Sequence, residues 1–261
     1  MTKRTLADTH DRPAQLIATS AYGHAAVAAH GQEGILPWLA AAGATGVEIR
    51  RELLPAGFDA FAALGEACAR QRLSVVYSAA DELWQDDAPA ATLGQRLAEA
   101  AALDARAIKF SLGNYRRGPA QAWTALRETL AAAPVALTMV ENDQTPQGGT
   151  LEPLAICLHD AEQADCPLYM TFDIGNWAWT GGDAVNAAHR LGRYVRYVHC
   201  KGVVWRDGKP HAAVPSAEEL HDWHALFAAF PPCVPRAIEF PLQGEDLVAV
   251  SRDELARLAR L

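Results

Sequence analysis

The chain has 261 residues, which suits one large domain, since single α/β domains of about 250 residues are common. Half of its residues are hydrophobic and its formal charge is −8. That composition is globular, and the acidic balance disfavours nucleic acid as a partner because binding a phosphate backbone needs a basic face.

The first stretch, MTKRTLADTHDRP, is polar and lacks an apolar core, so it reads as neither a signal peptide nor a membrane anchor. We expect a flexible tail over 1–14 and one domain over 15–261. Strands are expected at 16–22 (LIATSAY), 46–50 (GVEIR), 73–78 (LSVVYS), 107–112 (AIKFSL), 135–141, 168–174, 195–201 and 235–240. Between them run Ala/Leu-rich stretches with helical spacing, among them FDAFAALGEACARQR, ATLGQRLAEAAALDA, PAQAWTALRETLAAA and SAEELHDWHALFAAF. Ser216 followed by Glu219 is a capping-box signature for the last of these. Eight alternating units, at roughly one per 30 residues, predict a single (β/α)8 barrel of the α/β class. The rival, a doubly wound open sheet, usually carries a glycine-rich phosphate turn after its first strand, and ATSAYGHAA supplies none.

Glu141, Asp173, His199 and Glu239 each stand near the C-terminal end of one of the last four predicted strands. Charges in buried strands are expected to be paired or to hold a metal, and strand C-termini are where barrels of this kind build their sites. These residues therefore predict a site for one divalent cation. Alternation places Lys201 on the side of His199, and Glu48 on the side of Arg50. The same alternation sends Cys200 to the opposite face, under the helices. The five cysteines are scattered and lack a CxxC pair, which predicts a reduced, cytoplasmic protein without disulfides or a thiolate zinc site.

Glu141 followed by Asn142, Asp173 within FDIGN, His199-x-Lys201 and Glu239 within IEF together resemble the xylose-isomerase-like barrel superfamily. This holds sugar isomerases, ketose 3-epimerases, hydroxypyruvate isomerases and inosose dehydratases. The likeness covers essentially the whole chain. IATSAYG and GVEIRRELL are most similar to the epimerases encoded with 2-ketogluconate utilisation. The family often has His where this chain has Asn176, and Asp where it has Gly202. The first departure bears on a contact to a substrate oxygen. The resemblance implies one Mn, Mg, Co or Zn ion held by Glu141, Asp173, His199 and Glu239. It also implies an enediolate course in which Glu141 and Glu239 move the proton.

Several residues keep two readings. Lys201 either contacts a substrate oxygen or forms a buried salt bridge. Glu48 either serves the substrate or pairs with Arg50 or Lys109, and Lys109 is itself a candidate to bind the substrate. Asn176 either binds a substrate hydroxyl or caps its loop. Among the tryptophans, Trp177 and Trp205 are the candidates to stack on a sugar face, against a reading as packing residues. In WRDGKPH, Arg206 is either a clamp for an acidic substrate or part of a solvent-exposed turn centred on Asp207-Gly208.

The expected activity is a metal-dependent isomerase or epimerase acting on a keto-sugar or keto-aldonate. A dehydratase or lyase using the same chemistry, and a barrel that binds sugar without turnover, are the alternatives. A hydrolase of abasic DNA fits poorly, since it would want more histidine ligands and a basic groove. The expected partner is a small carbohydrate, with no nucleic acid or membrane, and a barrel of this kind can form a homodimer through its helices.

Overall fold

A computed structural model describes residues 13–261, so the expected tail falls, through residue 12, outside the described residues. In chain order the strands are β1 (Gln15–Ala18), β2 (Gly46–Arg50), β3 (Ser74–Asp86), β4 (Ala88–Pro89), β5 (Ala107–Tyr115), β6 (Leu137–Glu141), β7 (Leu168–Asp173), β8 (Val195–Cys200), β9 (Gly202–Arg206), β10 (Lys209–Ala213) and β11 (Arg236–Ile238). The helices are α1 (Gly23–Ala42), α2 (Phe61–Arg70), α3 (Leu93–Ala102), α4 (Ala120–Ala132), α5 (Leu151–Gln163), α6 (Trp177–Thr180), α7 (Ala184–Leu191), α8 (Ala217–Ala228) and α9 (Leu247–Leu258). Strands β1, β2, β3, β5, β6, β7, β8 and β11 are parallel neighbours in that order, and β11 pairs back to β1. The sheet is thus closed, with helices around it: a (β/α)8 barrel.

Side chains on a strand alternate between faces, and here the alternation separates core from site. Outward residues such as Ile17, Val47, Ile49, Ile108, Phe110, Phe172 and Ile238 pack under the helices. Burying each such side chain contributes roughly 1.5–3 kcal/mol. Inward residues change character with height. Leu16, Val76, Ala107, Met139, Tyr197 and Ala237 form an apolar plug with Leu137 and Tyr169. Two residues further along the same strands stand Ala18, Ser78, Lys109, Glu141, His199 and Glu239, on the same face and one layer higher. The period of two therefore delivers ionisable groups to the top of the interior because apolar residues hold the layer below.

The expected helices form, and Ser216 and Glu219 complete the reciprocal capping box at the start of α8. Three departures from the expected strands bear on the site. The predicted first strand stops at Ala18, and Thr19–Tyr22 turn as a 3-10 helix. The Thr19 hydroxyl is bonded to Gln32 and that of Tyr22 to Ser251, which draws TSAY out of the ladder. Strand β3 runs on to Asp86 through a shift of register between Ser78 and Glu82, where Ala80 takes a φ of +57°, and that break hides the alternation in the sequence. The WRDGKPH segment forms a β9–β10 hairpin whose two turn residues, Asp207 and Gly208, have φ of +50° and +71°. An Asp-Gly pair with both residues at positive φ matches the twist of the flanking strands.

Candidate metal centre and cavity

Glu141 ends β6, Asp173 ends β7 and His199 sits on β8 opposite Asp173 in register. Glu239 lies one residue past β11, and its N–H donates to Cys200 O, which continues the parallel pairing. One donor atom from each of these side chains lies within 4.8 Å of the others. His199 Nδ1 is 2.7 Å from Glu141 Oε1, 3.2 Å from Glu239 Oε2 and 3.6 Å from Asp173 Oδ2. Despite this closeness, Glu141 Oε1, Asp173 Oδ2 and His199 Nδ1 are buried without a hydrogen bond of acceptable direction. Lys201 Nζ lies 2.8 Å from Asp173 Oδ2 as an ion contact.

The remaining lone pairs and N–H groups are held by a second layer. His199 Nε2 meets Glu48 Oε2 at 2.6 Å, which aims Nδ1 at the carboxylates. Lys109 Nζ donates to Glu141 Oε2, Lys201 Nζ donates to Glu239 Oε2 at 2.7 Å, and Arg50 Nη1 donates to Glu239 Oε1 at 2.6 Å and Glu48 Oε1 at 3.0 Å. Asn142 braces Asp173, donating to its carbonyl and accepting from its N–H, both at 2.8 Å. Asn176 N–H donates to Asp173 Oδ1 at 2.9 Å.

Burial alone would depress the His199 imidazolium, but Glu239, Glu48 and Glu141 together hold it well above its ordinary 6.5. Burial would lift Glu141, yet Lys109 and His199 draw it down to about 2. Glu239 is likewise held well below the usual carboxylate range against burial, by His199, Lys201 and Arg50. Asp173 goes the other way: burial raises it, Glu239 and Glu141 add to the rise, and Lys201 opposes. Uneven carboxylates around one imidazole form a cluster that could bind a metal ion.

A cavity of about 280 Å³ opens beside the cluster, lined by Arg50, Ser78, Lys109, Ser111, Glu141 and Glu239 among others.

No protein-family model matches the chain, and no curated protein matches it by sequence. Solved structures do match. A xylose isomerase-like TIM barrel/4-hydroxyphenylpyruvate dioxygenase fusion protein gives a TM-score of 0.68 at 16% identity over 95% of this chain, which spans 42% of that protein. A xylose isomerase domain protein from Planctomyces limnophilus gives 0.65 at 16% identity over 97% of this chain and 98% of its own. D-Psicose 3-epimerase from Clostridium cellulolyticum H10, solved with D-tagatose, gives 0.64 at 13% identity over 94% of this chain and 96% of its own. The chain folds as a xylose-isomerase-like TIM barrel. Likeness at such identities speaks for the fold alone.

Within this barrel the structure sorts the sequence candidates. Lys109 and Lys201 line the cavity, and both form salt bridges there, Lys109 with Glu141 and Lys201 with Glu239. Glu48 is fully buried and pairs with Arg50 and His199 together. Asn176 reaches the cavity, but its amide donates to Asn142 O and accepts from Gln144, so it acts as a brace. Trp177 is not at the mouth: it is buried against Phe172 with ring centroids 5.6 Å apart. Trp205 is 62% exposed and Arg206 is exposed beside it on the hairpin, and neither is among the residues that line the cavity. The tryptophan that does approach is Trp179, whose ring centroid is 5.8 Å from Lys201 Nζ.

Arg50, Gln32 and Asn142 were not among the sequence candidates for the site. Gln32 is buried where α1 kinks at Gly31, and it ties Thr19 to the backbone of Arg50. A glutamine in a helical run offers no pattern to find it by. The two glycines near the site have steric causes. A Cβ at Gly175 would lie 2.6 Å from Lys201 Cγ, and one at Gly202 would lie 2.6 Å from Pro215 Cα. An aspartate at 202 is therefore incompatible with this packing.

Proposed function

We propose that the protein is a metal-dependent isomerase or epimerase acting on a keto-sugar or keto-aldonate, with Glu141 and Glu239 as the acid/base pair. The observation that carries this reading is the set of buried, converging atoms without hydrogen bonds, Glu141 Oε1, Asp173 Oδ2 and His199 Nδ1, at strand C-termini beside a cavity. These atoms are held only by ion contacts of poor direction, such as His199 Nδ1 to Glu141 Oε1 at 2.7 Å and Lys201 Nζ to Asp173 Oδ2 at 2.8 Å, and ligation by a cation would satisfy them together.

Glu141, Asp173, His199 and Glu239 would hold the ion, and three carboxylates with one imidazole suit Mn, Mg or Co at least as well as Zn. When bound, such an ion supplies positive charge against the negative charge that develops on a substrate carbonyl oxygen. Glu141 and Glu239 enter the cavity from β6 and from beyond β11, which are separate walls of the barrel. One glutamate, as the carboxylate, removes a proton from the carbon beside the carbonyl; the other, as the carboxylic acid, delivers its own proton to the opposite face of that carbon, and exchange with solvent restores the starting protonation of both. Lys109 and Arg50 fix the outer oxygens of these two glutamates, so that neither rotates out of line. Lys201 holds Glu239 from the cavity side and has an N–H left for a substrate oxygen.

All five cysteines are free thiols, which supports placement in a reducing cytoplasm. Among the described residues no helix is long and apolar enough to cross a membrane.

The test is elemental analysis of the purified protein and of Asp173→Asn, followed by exchange of solvent deuterium into keto-sugars and keto-aldonates. About one divalent ion per chain, lost in the variant, and deuterium entering a substrate without loss of water support the isomerase reading. No ion after adding back each metal would leave a structural charge network and end the reading. Loss of water would assign a dehydratase.

A further inference from the structure

One wall of the cavity is built for a task that the metal reading leaves unassigned. Lys109 on β5 stands opposite Ser78 of β3 in register, and Ser111 follows Lys109 two residues on, so the three line one side of the cavity. Ser78 and Lys109 are 1% and 3% exposed. Lys109 Nζ donates to Glu141 Oε2, and its other carboxylate neighbour, Glu48 Oε1, is 3.8 Å away. An ammonium has three N–H groups, so Lys109 retains donors for a ligand. Neither the Ser78 nor the Ser111 hydroxyl has a hydrogen-bond partner among the described residues. Next to Ser78, Ala80 adopts a φ of +57° where β3 slips register, and it puts only a methyl group on the cavity wall. Backbone outliers of this kind persist where the surroundings fix them and gather at ligand sites.

The charges around the cavity point the same way. Carboxylates of Glu48, Glu141, Asp173 and Glu239 face the cations of Arg50, Lys109 and Lys201. Asp143 also lines the cavity, so with His199 neutral, as ligation requires, five negative groups against three positive ones leave −2, and a divalent ion brings this to neutrality. Asp143 at the rim is bonded to the Thr145 backbone and hydroxyl, and Glu52 pairs with the outer edge of Arg50. A cavity brought to neutrality by the ion does not repel a monoanion, and the Lys109 ammonium offers a carboxylate charge-assisted hydrogen bonds that a neutral polyol uses less well.

We propose that Ser78, Lys109 and Ser111 form a carboxylate seat, so that the site takes sugar acids or polyhydroxy keto acids in preference to neutral ketoses. The proposal rests on the metal reading above, and its partner is a single carboxylate carried by the substrate, held by the ammonium and two hydroxyls. Charge-assisted hydrogen bonds of this kind correspond to about tenfold to a hundredfold in affinity.

The test is calorimetric titration of the Mn-loaded protein with D-gluconate and with D-glucitol, which share a six-carbon chain and differ at C1. Gluconate is expected to bind at least about tenfold more tightly. Lys109→Met should reduce that preference to about twofold or less, with the bound Mn checked by elemental analysis. The Ser78→Ala/Ser111→Ala double variant keeps every charge and removes only two hydroxyl groups. It should weaken gluconate by at least about threefold and leave glucitol unchanged, and it decides the matter if the lysine variant fails to fold. Equal binding of gluconate and glucitol by Mn-loaded parent, or full preference in the double variant, overturns the seat while the metal reading stands. Failure of the parent to bind Mn overturns the metal reading and, with it, the charge balance on which the seat depends. Inorganic phosphate binding more tightly than gluconate overturns the carboxylate assignment in favour of a phosphate.

Discussion

Glu48 Oε2 lies 2.6 Å from His199 Nε2 at the top of the barrel interior, and this one contact decides which imidazole nitrogen faces the carboxylates. Glu48 is itself anchored by Arg50 Nη1 at 3.0 Å, so the ring is held from behind by a buried pair. Outer partners of this kind typically change metal affinity by about 10- to 100-fold when altered. Glu48→Gln is therefore expected to weaken Mn binding by at least about tenfold, measured by competition with a chromophoric chelator, while circular dichroism stays unchanged. Parent-like affinity in this variant would mean that His199 is oriented without Glu48.

The carboxylates that raise His199 also fix the pH behaviour of ion binding. In the metal-free protein the ring carries a proton well above pH 6.5, because Glu239, Glu48 and Glu141 outweigh its burial. Ligation needs the neutral ring, so each ion displaces about one proton near pH 7. Apparent Mn affinity should then rise by about tenfold per pH unit until the pH passes the folded value of His199. The same shift acts on stability with a definite sign: the metal-free fold has the full benefit below about pH 6.5 and loses it as pH rises through the raised value. Calorimetry of Mn binding in two buffers of different ionisation enthalpy reads the released proton, and identical heats in both would refute the protonated ring.

Gly175 shows how a site residue is placed by what a neighbour lacks. A Cβ there would meet Lys201 Cγ at 2.6 Å, and Lys201 is the group that bridges Asp173 and Glu239. Gly175→Ala should destabilise the protein by about 1–3 kcal/mol in urea unfolding, because the lysine stem must leave its position. It should also lower Mn affinity if the displaced ammonium lets the two carboxylates move. Unchanged stability would show that the stem relaxes without cost.

The fold and the four ligand candidates were legible because the barrel repeats one rule. A period of two, apolar below and ionisable above, places Glu141 over Met139, His199 over Tyr197 and Glu239 over Ala237. What escaped the reading was whatever depends on contacts between distant segments. Gln32, on a helix, ties down the backbone of Arg50, and Arg50 pairs with Glu239, 189 positions away. The aromatic candidates failed for a related reason. Trp177 and Trp205 stand close to ligands in sequence, but the turn of α6 buries one and the hairpin exposes the other. Residue type suggests that a tryptophan has work to do, and only the path of the chain says whether that work is packing.

Asn142 gives the sharpest separation between a ligand and its support. It follows Glu141 directly, yet its amide faces the neighbouring strand and closes two hydrogen bonds on the backbone of Asp173, while its carbonyl accepts from Asn176. These contacts finish the β6–β7 ladder where the regular pairing ends, so Asp173 is carried at a fixed height beside His199. Asn142→Ala would leave the buried N–H and C=O of Asp173 without partners, at about 1–3 kcal/mol for each group. We expect a loss of about 2–5 kcal/mol in urea unfolding and weaker Mn binding in whatever remains folded. Asn142→Asp tests the same contacts with little change in shape. It keeps the acceptor for Asp173 N–H, removes the donor to Asp173 O and adds a negative charge beside a carboxylate already raised by burial. It should therefore destabilise the metal-free protein more than the Mn-loaded one, since a bound cation offsets the added charge. Equal destabilisation of both forms would place Asn142 in the fold alone and separate it from the metal centre.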